Sequence, residues 1–400
     1  MEGQKYLGTP VVIALITALS VVPALSTDMY LPALSQIVDF FSTTEATLNA
    51  TLYGFIFMQA VGILLFGPVS DKFGRKPLLL GGIAVYIAAS VLCSVAPTII
   101  WFIALRCLQG FSAGCLVVIA TALIKDCFAD MKIRNTVLTM TVVFGIAGPV
   151  IAPILGAWLI KMVNWQCTLL IPAIVTLLCF VFILFLTEPL GKADRLQESV
   201  AGSLLHLPAL FKNKAFTLFL ASMGILTMPM LCFVGISSYI FVDGFGLSGT
   251  TYSYILGINA ITGTILMIGL QHFQKKITMR RYGPVLLGCT LTGAVLTLLF
   301  AGCNPVVCLL CVLPMVLGSF SARTYTLSIL LQQYENDTGS VAAVYNFVGM
   351  MFCCLGMFAG TLPWPGFITG LGIVGLIAGG VGVVLWIVLK ADGMRLKGME

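Results

Sequence analysis

From Thr338 to Leu389 the chain carries no charged residue. That stretch is about twice the 20 or so apolar residues that cross a hydrocarbon core near 30 Å thick. Pro363-Trp364-Pro365-Gly366 supplies the turn chemistry at which it must fold back on itself. The rest of the sequence has the same character, with 59% of its 400 residues hydrophobic, 9% charged and a mean hydropathy of +1.07. Soluble domains carry about 25% charged residues because their surface faces water. A water-soluble globule is therefore excluded, as are a disordered chain, a secreted disulfide scaffold and a nucleic-acid binder.

Uncharged stretches and their punctuation divide the chain into twelve expected spans. The first six run 11–34, 46–66, 77–96, 98–124, 136–160 and 166–187, and the second six 215–241, 250–271, 284–303, 305–330, 341–363 and 366–389. Short-loop lysines and arginines stay cytoplasmic. With the N-terminus inside, Lys5, Lys72, Arg75, Lys76, Lys125, Lys132, Arg134, Lys192, Arg195, Lys212 and Lys214 fall on one side. Lys275, Lys276, Arg280, Arg281, Arg323, Lys390, Arg395 and Lys397 fall on the same side, leaving Arg106 and Lys161 elsewhere. Both termini are expected in the cytoplasm, and the net charge of +6 reads as a topology signal. The first apolar stretch has full span length and shows no convincing cleavage site, so it stays as a helix. The 13 cysteines lie mostly inside spans as small apolar residues, and the lone Cys308-x-x-Cys311 lacks the partners of a metal site.

The polar segment 188–214 separates a six-helix half, 1–187, from a second half with a short tail, 215–400. Each half has a basic loop between its second and third spans, at 71–77 and 275–284, which is a weak internal repeat. Two related bundles can rock about a midplane site, and that is how transporters are built.

Arg106 sits about 10 Å inside the fourth span, where an arginine costs about 2.5–3.5 kcal/mol unless it meets a partner or water. It is either a snorkelling side chain or a functional charge in a cavity, with Gln109 on the same helical face. Asp28, near the outer end of the first span and beyond a kink expected at Pro23, is its natural counterpart. At that depth desolvation favours the neutral acid and a nearby guanidinium the carboxylate, the opposed influences that a proton switch requires. The alternative for Asp28 is a helix-end aspartate in the headgroup layer, and Asp243 reads as a loop residue.

In the segment Gly67-Pro68-Val69-Ser70-Asp71-Lys72-Phe73-Gly74-Arg75-Lys76-Pro77, two glycines permit a tight reversal and Asp71 can accept from Arg75. In the fifth span Gly148, Ala152 and Gly156 recur every four residues and form a flat face for a neighbouring helix. Pro149 and Pro153 loosen the same helix.

At these residues the chain resembles the major facilitator superfamily along essentially its whole length. Gly67, Asp71, Gly74, Arg75 and Lys76 stand at the positions of that superfamily's motif A. Arg106-Cys107-Leu108-Gln109-Gly110 resembles motif B, and Gly148 to Gly156 resembles the antiporter motif C. Ser26 to Leu34, Lys125-Asp126 and Gly257-Ile258-Asn259-Ala260 are similar to the bicyclomycin and chloramphenicol resistance branch, Bcr/CflA. Ala157 and Gln166 depart from the family's usual glycine and arginine, at the outer rim. The resemblance implies two pseudo-symmetric six-helix bundles exporting drugs against protons, with Asp28 as proton acceptor, Arg106 as its charge partner, and Asp71 with Arg75 in a cytoplasmic gate.

The expectation is thus an all-α integral membrane protein of twelve transmembrane helices, a bacterial plasma-membrane exporter of small amphipathic compounds. It is expected to act as a monomer in the lipid bilayer, driven by the proton gradient, with no cofactor, no metal and no nucleic acid. Tyr30, Tyr53, Gln59, Gln109, Asn259 and Asn346 are candidate substrate contacts. Export of a native metabolite on the same fold is the alternative; a channel stays open, and the sequence lacks the H-E-x-x-H or Ser/His signatures of a membrane enzyme.

Overall fold

The computed structural model describes every residue except 1–3, 5, 192, 194, 196–198, 275–278, 335–337, 394–395 and 398–400, and the described residues are helical throughout apart from their connections. Lys5, Lys192, Lys275, Lys276 and Arg395, used above to orient the chain, lie outside the described residues. Among the described residues eleven helical stretches are long and apolar enough to cross a membrane. The one remaining expected span, the fifth, corresponds to the pair 131–145 and 147–162, bent by 40°. The chain divides into two compact units, Met1–Leu204 and Leu205–Glu400.

In the first unit α1 (Thr9–Asp28), a 3-10 turn at Leu31–Ala33 and α2 (Leu34–Phe41) make one broken span. It is followed by α3 (Glu45–Phe73), α4 (Arg75–Ser94), α5 (Ile99–Cys127), α6 (Met131–Met162), α7 (Cys167–Leu184) and the short α8 (Val200–Leu205). The kink expected at Pro23 is not where the span breaks, because α1 runs on through that residue to Asp28. Pro32 explains the true position: it has no N–H to give the Asp28 carbonyl, so the ladder ends there. Pro149 acts likewise on the Gly145 carbonyl, and α6 bends at that place.

Backbone contact sets the packing of this unit. A Cβ on Gly110 would run into the Phe55 carbonyl, and one on Gly114 into the backbone between Gln59 and Ile63, so α5 lies directly on α3. Arg106, Gly110 and Gly114 share one stripe, which aims Arg106 at α3. Gly148, Ala152 and Gly156 turn the flat face of α6 to α1: a Cβ on Gly148 would stand 3.3 Å from the Ala24 methyl, and Gly156 rests on the Met29 backbone.

In the second unit α9 (Lys214–Gly224), a 3-10 turn at Ile225–Thr227, α10 (Met228–Ser238) and a π turn at Tyr239–Gly244 form another broken span. Then come α11 (Gly249–Gln274), α12 (Met279–Phe300), α13 (Pro305–Leu331), α14 (Thr338–Gly360) and α15 (Phe367–Ala391). Asp243 lies in the π turn and not in a loop, since wide hydrogen bonds such as Phe245 N–H to the Ile240 carbonyl at 3.0 Å carry the coil past it. Pro229 leaves the Ile225 carbonyl without its helical donor, and the Ser319 hydroxyl donates to the neighbouring Leu226 carbonyl. Gly356 of α14 rests on the Met228 backbone. Each unit therefore repeats one device: a first span broken before a proline and clasped by a glycine from the fifth.

Candidate functional site

The interior of the first unit is organised around Arg106, which is fully buried. Its Cζ lies over both the Tyr30 and the Phe55 rings, 4.6 Å from each centroid, so the guanidinium makes two cation–π contacts. Nη1 donates to Gln109 Oε1 at 2.6 Å, and Gln109 Nε2 donates to Ser90 Oγ at 2.7 Å. Ser90 in turn donates to the Tyr86 carbonyl at 2.7 Å, one turn away on α4, and the Tyr86 hydroxyl is bonded to Ser26 of α1. Tyr30 shares a hydrogen bond of 2.7 Å with Thr51 Oγ1. Polar side chains thus link α1, α3, α4 and α5 through a single buried cation.

Asp28 ends α1 and is partly accessible, with its Oδ1 accepting from Thr27 Oγ1 at 3.1 Å. The pairing expected between Asp28 and Arg106 is not made in this structure, since each side chain takes the other partners just described. Tyr30, at the break before Pro32, lies with its ring against the guanidinium.

The glycine-rich segment forms a dense polar knot. Gly74 adopts φ +103°, the left-handed region in which a side chain is strained, and so permits α3 to end and α4 to begin at once. Arg75 is buried and uses all three of its nitrogens: Nη2 to Asp71 at 2.5 Å, Nε to Asp126 at 2.9 Å and Nη1 to Ser70 Oγ at 2.5 Å. Glu188 receives the backbone N–H groups of Arg75 and Lys76, both at 2.9 Å, while Lys76 Nζ reaches the Leu184 carbonyl at 2.8 Å. Since the third helical residue is Pro77, the carboxylate satisfies both free donors of the first turn and opposes the helix dipole. Gly67 accepts Ser70 Oγ on its carbonyl at 2.9 Å.

The remaining candidates are placed less centrally. Tyr53 and Gln59 stand on α3, half-buried and buried respectively. Asn259 is buried on α11 and Asn346 donates to its own helix at Ala342, 2.9 Å, both in the second unit. Sequence reasoning missed Glu188, Phe55, Thr51 and Ser90. Two consecutive N–H groups ahead of Pro77 are a legible demand for an acceptor, but nothing local says that it comes from 113 residues on.

A two-unit helical protein of this kind, with a fixed charge in a membrane-embedded interior, is of the transporter class. The chain belongs to the Major Facilitator Superfamily, whose model matches residues 16–361. It is 27% identical to a bicyclomycin resistance protein homolog of Haemophilus influenzae over 69% of each chain. It is 33% identical to the multidrug resistance protein MdtL of Shigella dysenteriae over 58% of this chain and 59% of that one. Among solved structures it resembles the nucleoside transporter NupG, with a TM-score of 0.72 at 19% identity over 97% of this chain and all of that one. It also resembles a peptide transporter, POT, with a TM-score of 0.76 at 13% identity over 96% of each. These structural likenesses concern the fold.

Proposed function

We propose that the protein exports small amphipathic compounds, chloramphenicol- or bicyclomycin-like, in exchange for protons by alternating access across a bacterial plasma membrane. The likeness to resistance proteins supports efflux. One observation carries the coupling: Asp28 stands at the break in the first span, next to Met29, on whose backbone Gly156 of α6 rests. A carboxylate there senses any movement of α6 over α1. In the outward-facing state Asp28 takes up a proton; release inward accompanies substrate capture, and Arg106 biases the exchange through its charge. No cofactor is needed. One proton moved through 100 mV supplies about 2.3 kcal/mol and each pH unit about 1.4, enough to hold a gradient well beyond tenfold. The knot around Arg75 latches α3, α4 and α5 on the cytoplasmic side, with both termini inside.

The test is proton release from acidified proteoliposomes on adding a drug panel that includes chloramphenicol and bicyclomycin. Native protein releases protons and Asp28→Asn does not. Equal release by the variant places the proton site elsewhere, and silence of the native protein toward every drug moves a native-metabolite exporter ahead.

A further inference from the structure

The hydrogens in the buried network leading from Arg106 to α1 can be assigned one by one. Arginine has donors and no acceptor, so the Gln109 oxygen faces Nη1 at 2.6 Å and its amide nitrogen faces Ser90 Oγ at 2.7 Å. Ser90 gives its hydrogen to the Tyr86 carbonyl at 2.7 Å. Ser26 gives its own to the Val22 carbonyl at 2.8 Å, one turn back on α1. The hydrogen shared by Tyr86 and Ser26 therefore belongs to Tyr86, whose hydroxyl donates to Ser26 Oγ. That hydroxyl also faces Ser90, Gln109 and the Arg106 charge. Donors thus point away from the cation, from α5 to α4 and from α4 to α1. The path runs through an amide and a peptide carbonyl, neither of which relays a proton, so it fixes positions and does not conduct.

Ser26 differs from its neighbours in reaching out of α1. The hydroxyls of Thr17, Ser20 and Thr27 bond within that helix. Ser26 and Tyr30 stand two residues before and two residues after Asp28. Ser26 is tied to the network of Arg106 through Tyr86, and Tyr30 lays its ring against the cation itself. Asp28 is thus anchored from both sides to a charge with which it is not paired. In a low-dielectric interior such a pair still interacts across several ångströms, with a strength set by separation. Whatever fixes the end of α1 fixes that strength.

We propose that Tyr86 is a positioning residue for proton coupling. Its hydrogen bond to Ser26 holds the Asp28 end of α1 in place relative to Arg106, and the movements of drug and proton come apart when that bond is lost. This rests on the export reading above. Tyr86 touches neither proton site nor drug in this role; it acts through Ser26.

The experiment compares native protein with Tyr86→Phe, with Ser26→Ala and with both changes together. Thr17→Val is the control, since Thr17 bonds the Ile13 carbonyl of its own helix at 2.8 Å. Tyr86→Phe keeps the ring and removes one hydrogen bond. Backbone hydrogen exchange over residues 24–30, read by mass spectrometry in lipid nanodiscs, should quicken about threefold to tenfold, the range set by one lost hydrogen bond. Protons released per drug bound in acidified proteoliposomes should fall by about the same factor, while drug–drug exchange without a gradient stays within about twofold of native. Both changes together should do no more than either alone, because they cut one bond. Thr17→Val should leave all three readings as in native protein. Unchanged hydrogen exchange in Tyr86→Phe, or single effects that add in the double variant, overturns the proposal. So does a parallel fall in proton release and drug–drug exchange, which is what a hydroxyl of purely structural value would give. Release by native protein with an unchanged proton-to-drug ratio in Tyr86→Phe defeats this inference alone, whereas absence of release from native protein with every drug defeats the export reading whatever the hydrogen exchange gives.

Discussion

Removing the carboxylate of Glu188 should loosen the start of α4 by an amount the structure allows to be worked out. That carboxylate accepts two backbone N–H groups at 2.9 Å and is partly buried. Losing a cap costs about 0.5–2 kcal/mol, and losing an anion from a helix N-terminus about 0.3–1 more. A local opening penalty lowered by about 2 kcal/mol speeds exchange of the Arg75 and Lys76 amides by about thirtyfold, at 1.36 kcal/mol per tenfold. Glu188→Gln keeps an oxygen acceptor and loses the charge, so about 1 kcal/mol and fivefold are expected. Hydrogen exchange read by mass spectrometry on peptides covering residues 74–80 measures this directly. Asp126→Ala is the control, because Asp126 touches only the side chain of Arg75 and not these amides. Exchange in Glu188→Ala within twofold of native would refute the capping role.

Three further outcomes follow from contacts already described. Gly156→Ala places a methyl against the Met29 backbone and is expected to lower stability by about 1–3 kcal/mol and to abolish export, whereas Gly145→Ala, whose Cβ meets nothing within 4 Å, should leave both intact; a thermal unfolding series with a resistance assay distinguishes them. Gly356→Ala should reproduce the Gly156→Ala loss of stability from the other unit, since its methyl meets the Met228 backbone, and an unchanged melting curve would contradict that contact. Arg75→Lys can reach only one or two of the acceptors on Asp71, Asp126 and Ser70 and should destabilise by about 1.5–3 kcal/mol in chemical or thermal unfolding; a lysine variant as stable as native would show that the fork geometry is immaterial.

Features written as local periodicity were legible before any coordinates. The twelve spans follow from hydropathy, the Asp71–Arg75 contact from the reversal that the two glycines of segment 67–77 permit, and the α6 face from Gly148, Ala152 and Gly156. Contacts between distant segments were not. Glu188 reaches α4 across 113 residues, and no local pattern encodes the destination of a loop carboxylate. Proline position was also misjudged: Pro23 sits in a helix that tolerates the loss of one hydrogen bond, while Pro32 coincides with the place where α6 backbone presses on Met29. The sequence placed opposite charges in one bundle, but pairing depends on which side chain a break turns inward. Tyr30 and Phe55 place their rings against Arg106, while Asp28 bonds to Thr27.

The twin clasps, Gly156 on Met29 and Gly356 on Met228, have an evolutionary corollary. At both, the touching parts are main chain, so there is no side chain whose mutation could retune the joint gradually. Side chains that line a cavity, by contrast, can drift one at a time without disturbing either joint. A protein made this way is free to widen or change its chemical repertoire by ordinary point mutation while the machinery that moves stays the same, and laboratory selection for new resistance should return changes at lining residues and leave these two glycines alone.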